Sequence, residues 1–199
     1  MVRTSVHSSR EVAMFACEPP PEARAVTPLQ VQQRLDQEDA WLRETVLRHG
    51  WAVESVYGEG CWGPPGCPCG LPRGGDPPYA YTVGLHDFGH PELVVFGLGD
   101  ETGSLVLNAL GERVRGGGRM LPARPLPVDG WHHRVRFFPF HDVGGPPLLT
   151  SAQRYYRRTA DDPVSVLQVV WDDHQGRFPW EGGYDFPTGL QPPPRVFLG

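Results

Sequence analysis

The sequence predicts an α+β domain built on a mixed or mainly antiparallel sheet, and three observations lead there. Runs of β-branched and aromatic residues alternate with segments of helical periodicity. Several neighbouring strand runs have connections too short for a parallel crossover. The 25 Gly and 23 Pro among 199 residues call for many loops and short elements. One core suffices at this length, so a single globular domain is expected over 27–199, with about three flanking helices and a sheet open to barrel-like closure.

Residues 1–26 lack sustained periodicity and include Pro19, Pro20 and Pro21, the pattern of an irregular N-terminal arm. A helix follows. Thr27 caps it, Pro28 suits the first helical position, and Gln30 completes a Thr-x-x-Gln capping box. Val31, Leu35, Leu42 and Val46 share a face, and Gly50 supplies the stop. Trp51 to Tyr57 alternates as a strand before a Cys/Pro/Gly-rich insert over 58–78. Strands over Tyr79–Val83 and Leu93–Phe96 are joined by a polar loop. Asp100 is expected to cap a second helix, with Leu107, Leu110 and Val114 inward and Gly116 to Gly118 ending it. Pro122 to Pro127 reads as a connector and His132 to Phe140 as a strand, with Val135 and Phe137 opposite Arg134 and Arg136. Ser151 to Thr159 reads as a short helix and Val164 to Trp171 as the last strand.

All 18 basic residues are arginine. Without lysine there is no Walker-type phosphate lysine, no pyridoxal phosphate Schiff base and no catalytic lysine amine. A net charge of −5 offers no general attraction to nucleic acid. The apolar run Val12 to Cys17 is too short for a signal-peptide core, and no segment reaches bilayer length, so a cytoplasmic protein without membrane or nucleic-acid partners is expected.

Two blocks carry a family resemblance. Tyr79 to Leu98 contains Tyr-Thr-Val-Gly-Leu, then Pro-Glu-Leu, then Phe-Gly-Leu, and Leu167 to Trp180 reads Leu-Gln-Val-Val-Trp-Asp-Asp-His-Gln-Gly-Arg-Phe-Pro-Trp. Together they resemble the bacterial domain-of-unknown-function family 4262, over approximately Trp41 to Pro192. That resemblance implies no reaction and transfers no catalytic residue.

Candidate chemistry therefore comes from the chain itself. Cys61, Cys67 and Cys69 fall within Cys-Trp-Gly-Pro-Pro-Gly-Cys-Pro-Cys, where three thiolates suit a soft cation such as Zn or Cu(I), with Cys17 or His86 as a fourth ligand. The spacing lacks paired Cys-x-x-Cys knuckles, and a redox pair or a reduced structural loop are its other readings. His86, His90 and Glu92 form His-x3-His-x-Glu, a donor set for Zn or Fe, although Gly89 and Pro91 argue for a turn and Glu92 equally serves to bind loop amides. Asp172, Asp173 and His174 resemble an acid/base cluster with Arg177 as an anion clamp, or else a tight turn between the apolar anchors Trp171, Phe178 and Trp180. His132 and His133, as neighbours on a strand, should point to opposite faces and so not share an ion. No Gly-x-Ser-x-Gly elbow, no His-Glu-x-x-His helix and no Gly-x-Gly-x-x-Gly turn opening a helix after a strand occurs.

The leading expectation is a small-molecule or cofactor pocket shared by loop 81–92 and segment 171–181, lined by Tyr81, His86, His90, Glu92, Trp171, Asp173, Arg177 and Trp180, with flavin a lesser cofactor candidate that rests on a barrel analogy. The alternatives are a metal-binding module on Cys61, Cys67 and Cys69 and a protein-interaction module using the prolines of the insert and Pro192 to Pro194.

Overall fold

The computed structural model describes residues 27–194, apart from 64–65, 121–123, 141–147, 160 and 188. The expected arm over 1–26, with Cys17, lies outside these residues. Helix α1 spans Pro28–His49. Thr27 and Gln30 satisfy each other's backbone amides in the expected capping box, and Gly50 ends the helix in the left-handed region. Only its C-terminal half packs as the periodicity suggests: Leu42 and Val46 are buried, whereas Val31 is 44% exposed.

The remaining elements are β1 (Ala52–Val56), β2 (Tyr79–Val83), β3 (Glu92–Phe96), α2 (Asp100–Arg115), β4 (Leu126–Pro127), β5 (Arg134–Phe140), α3 (Thr150–Tyr156) and β6 (Val166–Trp171). A short 3-10 turn, Leu85–Phe88, lies between β2 and β3. Six strands form one sheet in the order β1-β2-β3-β6-β5-β4, and β3 with β6 is its parallel pair while the other neighbours are antiparallel. The α+β expectation holds, but the sheet is open rather than barrel-like. β1 and β4 are its two edges and do not pair with each other, while β3 at the centre is buried at each of its five residues, the continuous apolar pattern of a doubly covered strand. The flavin analogy loses its basis with the barrel.

Helix α2 covers one face, where Trp51, Leu93, Val95, Leu107, Leu110, Phe137, Val169 and Trp171 pack together. Helices α1 and α3 cover the other, over Tyr81, Val83, Val94, Phe96 and Val166. Further along that second face, Phe138, Val170 and Phe178 form a smaller cluster with Trp180 beside them, so Phe138 is buried as well as Val135 and Phe137. Asp100 does not cap α2; Gly99 holds that position and the Asp100 carboxylate instead accepts the Ser55 hydroxyl. Beyond β3, the side-chain amide of Gln191 takes the place of a strand against Trp171, accepting from its N–H at 3.0 Å and donating to its C=O at 3.0 Å. Among the described residues no helix is long and apolar enough to cross a membrane.

Helix α2 approaches β1 closely through Gly111. A Cβ there would lie 2.5 Å from Trp51 Cε2, and the indole is fixed by a 2.9 Å bond from Nε1 to Asn108 and by the Arg115 guanidinium 4.4 Å from the ring centroid. Ala is worth up to about 1 kcal/mol over Gly inside a helix, while overpacking of a rigid neighbour costs about 1–3 kcal/mol. Gly111→Ala should therefore lower the denaturant midpoint, and a raised midpoint would mean that the indole gives way freely.

Candidate functional site

Register decides which predicted residues can meet. Glu92 pairs with Val166 at the start of the parallel β3–β6 pair, whereas the Trp171 indole reaches the Phe96 carbonyl at its end. Loop 81–92 and segment 171–181 thus sit at opposite ends of the sheet, roughly 15 Å apart along the strands. The expected shared pocket is not formed. Two surface clefts, of about 290 Å³ beside the N-terminus of α2 and about 480 Å³ between α1, β1 and α2, are lined by none of the predicted site residues.

At the first end, Glu92 is fully buried and accepts four hydrogen bonds: Thr82 Oγ1 at 2.6 Å, Gly84 N at 3.0 Å, His86 N at 3.3 Å and Tyr156 Oη at 2.5 Å. Thr82 Oγ1 in turn accepts from Leu93 N, and Gly84 N also donates to Tyr156. Gly84 has φ +128°, and a Cβ would lie 2.5 Å from the Gly50 carbonyl, so the Thr-Val-Gly-Leu stretch requires glycine at this point. Burial, then the Glu92 charge, drive the Tyr156 hydroxyl far above the usual tyrosine range, so it stays a donor. His86 Nδ1 lies 3.7 Å from Glu92, but His90 turns to the Pro91 carbonyl at 2.7 Å. The His-x3-His-x-Glu set does not converge: Glu92 binds loop amides, and the segment is a structural knot. Tyr81 is also core, its hydroxyl accepting from Ser151 N.

At the opposite end, Asp173 Oδ1 accepts from the backbone of Gln175 and Arg177 and Oδ2 from Arg177 Nε and Asp185 N, at 2.8–3.1 Å. Burial raises this carboxyl's pKa, yet the bonds from Arg177, Gln175 and Asp185 outweigh it and hold the group below its ordinary 3.8. Arg177 is thereby committed to Asp173 and Asp185 and is no anion clamp. Asp172 braces Arg134 through N at 2.8 Å and Nε at 2.7 Å. Trp171 is core, and Trp180 stacks on Phe178 on the α1/α3 face with the Arg136 guanidinium 5.4 Å away.

The same end gathers three imidazoles that parity reasoning separates. β5 begins at Arg134, so His132 and His133 lie in a bend where alternation does not apply, and their ring centroids are 4.3 Å apart. With His174 they place one nitrogen each within 4.8 Å of the others. Burial, then the neighbouring His132, push the His133 pKa below 6.5, against the pull of Asp172. The sequence signal for this cluster was the His-His pair next to a strand start.

Cys61, Cys67 and Cys69 also converge, their sulfurs within 4.8 Å of one another. The insert doubles back so that Cys61 bridges to Arg73, with Cys61 N donating to the Pro72 carbonyl at 2.6 Å and Gly74 N to the Cys61 carbonyl at 3.3 Å. Arg73 Nη1 lies 3.5 Å from Cys61 Sγ. His86 cannot join them, because the insert leaves the Val56 end of β1 and enters at Tyr79, whereas His86 follows the other end of β2.

The family model described as "Domain of unknown function (DUF4262)" matches residues 45–185, more than half of the chain. The chain belongs to the DUF4262 family. No curated protein and no solved structure matches it. The DUF4262 span includes the cysteine insert, the Glu92 knot and the three-histidine end, and within it the Tyr81 to Leu85 stretch of this chain has a physical role as part of the socket for Glu92.

Two outcomes follow from these buried carboxylates. Glu92→Gln should cost about 2–3 kcal/mol and Tyr156→Phe about 1–2 kcal/mol in denaturant unfolding, since each strands buried donors or acceptors; unchanged stability in both would reassign the knot to a ligand role. Asp173 has a folded pKa below 3.8, so its contribution is complete above that value and is lost as the pH falls through the folded pKa. Asp173→Asn should cost about 2 kcal/mol at neutral pH and flatten the acid limb of the stability profile, and an unaltered acid limb would contradict this assignment.

Proposed function

We propose that this DUF4262 protein is a metal-binding module whose cysteine loop takes a thiophilic cation of the Zn(II) or Cu(I) class. The observation that carries the reading is the convergence of Cys61, Cys67 and Cys69 in one folded-back loop. Thiolates brought this close repel one another, and a soft cation between them turns that repulsion into bonding. The Arg73 guanidinium donates toward Cys61 Sγ at 3.5 Å, and it is the thiolate form of cysteine that binds metal. Three sulfurs match the trigonal preference of a soft monovalent ion or leave one place for an outside ligand on zinc, so metal carriage or sensing suits the loop better than a closed structural site.

Elemental analysis of the untagged chain, purified without chelator, tests the reading. The parent is expected to carry one equivalent more of thiophilic metal than a Cys61→Ser, Cys67→Ser, Cys69→Ser variant. Metal at 100 times the Kd of the cysteine loop should add about 2.7 kcal/mol more stability to the parent than to the variant. A triple variant that holds as much metal as the parent would remove the proposal.

A further inference from the structure

The polar atom that most lacks an explanation is His133 Nε2. His133 is 1% exposed, and among the described residues this nitrogen has no hydrogen-bond partner. A buried, unsatisfied polar atom costs about 1–3 kcal/mol, so its retention calls for something to engage it. The other ring nitrogen is accounted for: Asp172 lies against Nδ1, with Oδ1 at 3.5 Å and a backbone acceptor for the ring proton. Placing the proton on Nδ1 leaves Nε2 as a bare lone pair.

Two further imidazoles lie beside the same ring, with centroids 4.3 Å (His132) and 5.3 Å (His174) from it. His132 and His174 are both exposed, and the three rings present one nitrogen each within 4.8 Å of the others. We propose that His132, His133 and His174 form a three-imidazole site for a borderline divalent transition-metal ion of the zinc class, with Asp172 as the positioning carboxylate behind His133. This is distinct from the cysteine loop in residues and in ligand chemistry.

The donor geometry agrees with the demand. A tetrahedral ion at 2.0–2.1 Å from each nitrogen needs nitrogens about 3.3 Å apart, and the three rings already bring one nitrogen each within 4.8 Å of the others. Asp172 is locked by Arg134 and Asp173 by Arg177, so the carboxylates act as scaffold and the imidazoles as donors. A carboxylate behind a ligating imidazole fixes its tautomer and raises its basicity. Trp131, Trp171 and Phe186 wall the site, with centroids 4.9, 5.6 and 6.2 Å from His133. Three protein donors leave a zinc-class ion one position for water or a substrate, the arrangement of metal centres that do chemistry rather than only brace a fold.

Cobalt(II) titration of the metal-stripped, untagged chain separates this site from the cysteine loop. Nitrogen-ligated cobalt shows visible ligand-field bands without the near-ultraviolet thiolate charge-transfer band. The Cys61→Ser, Cys67→Ser, Cys69→Ser variant should retain one equivalent of cobalt with that nitrogen-type spectrum. Adding His132→Ala and His174→Ala should remove that nitrogen-type spectrum and weaken binding at least 100-fold, in a chain that still unfolds cooperatively. Asp172→Asn should weaken binding roughly 10–100-fold and leave the spectrum of the bound form as it was. Cobalt uptake that survives the loss of His132 and His174, or a cysteine-free chain that takes up none, would overturn the proposal.

Discussion

A parallel strand pair buried on both faces must find its hydrogen bonds inside the sheet and its packing on two sides at once, and β3 with β6 meets that demand in this protein. Leu93 and Val95 face α2, Val94 and Phe96 face α1 and α3, and Val169 and Val166 repeat the division on β6. The antiparallel neighbours then complete the sheet on either side: β2 and β1 beyond β3, β5 and β4 beyond β6. Because two strands in parallel share one direction, everything preceding them collects at one end and everything following them at the other.

Each end is held by buried carboxylates, and their surroundings differ. Glu92 draws Thr82, Gly84, His86 and Tyr156 onto one point and ties α3 to the β2–β3 turn. Asp172 and Asp173 each hold an arginine and the backbone around it. The metal-capable clusters, both thiolate and imidazole, lie at the end that follows β6 and β1. There the insert leaves β1 and the final segment leaves β6, and loops positioned by a rigid scaffold carry the ligand groups.

Local chemistry made much of the fold legible. The Thr27 box, the Gly50 stop and the alternation of Ala52 to Val56 are written in neighbouring residues, and so was the reading of Glu92 as an acceptor of loop amides. What escaped depends on partners far along the chain. Tyr156 reaches Glu92 across 64 positions, and the separation of the two signature segments follows from a β3–β6 register that no local pattern states. The three histidines were missed for another reason: strand parity was extended to His132 and His133, two residues before β5 begins at Arg134. A bend has no parity, and it turns adjacent side chains to the same side.

Gln191 closes the sheet beside Trp171 with a side chain where a strand would use its backbone. Strand pairing ties closure to register, since each rung must match the next by main-chain spacing. An amide on a flexible stem needs only to reach. The segment carrying it is therefore released from strand geometry, and Leu190 enters the core under Gly97 while the Pro192 carbonyl accepts from Gln168. In evolutionary terms β6 asks of this segment only an amide within reach of Trp171, while the loop before it, which carries His174, keeps its shape through bonds of its own, from Asp173 to the backbone of Gln175, Arg177 and Asp185.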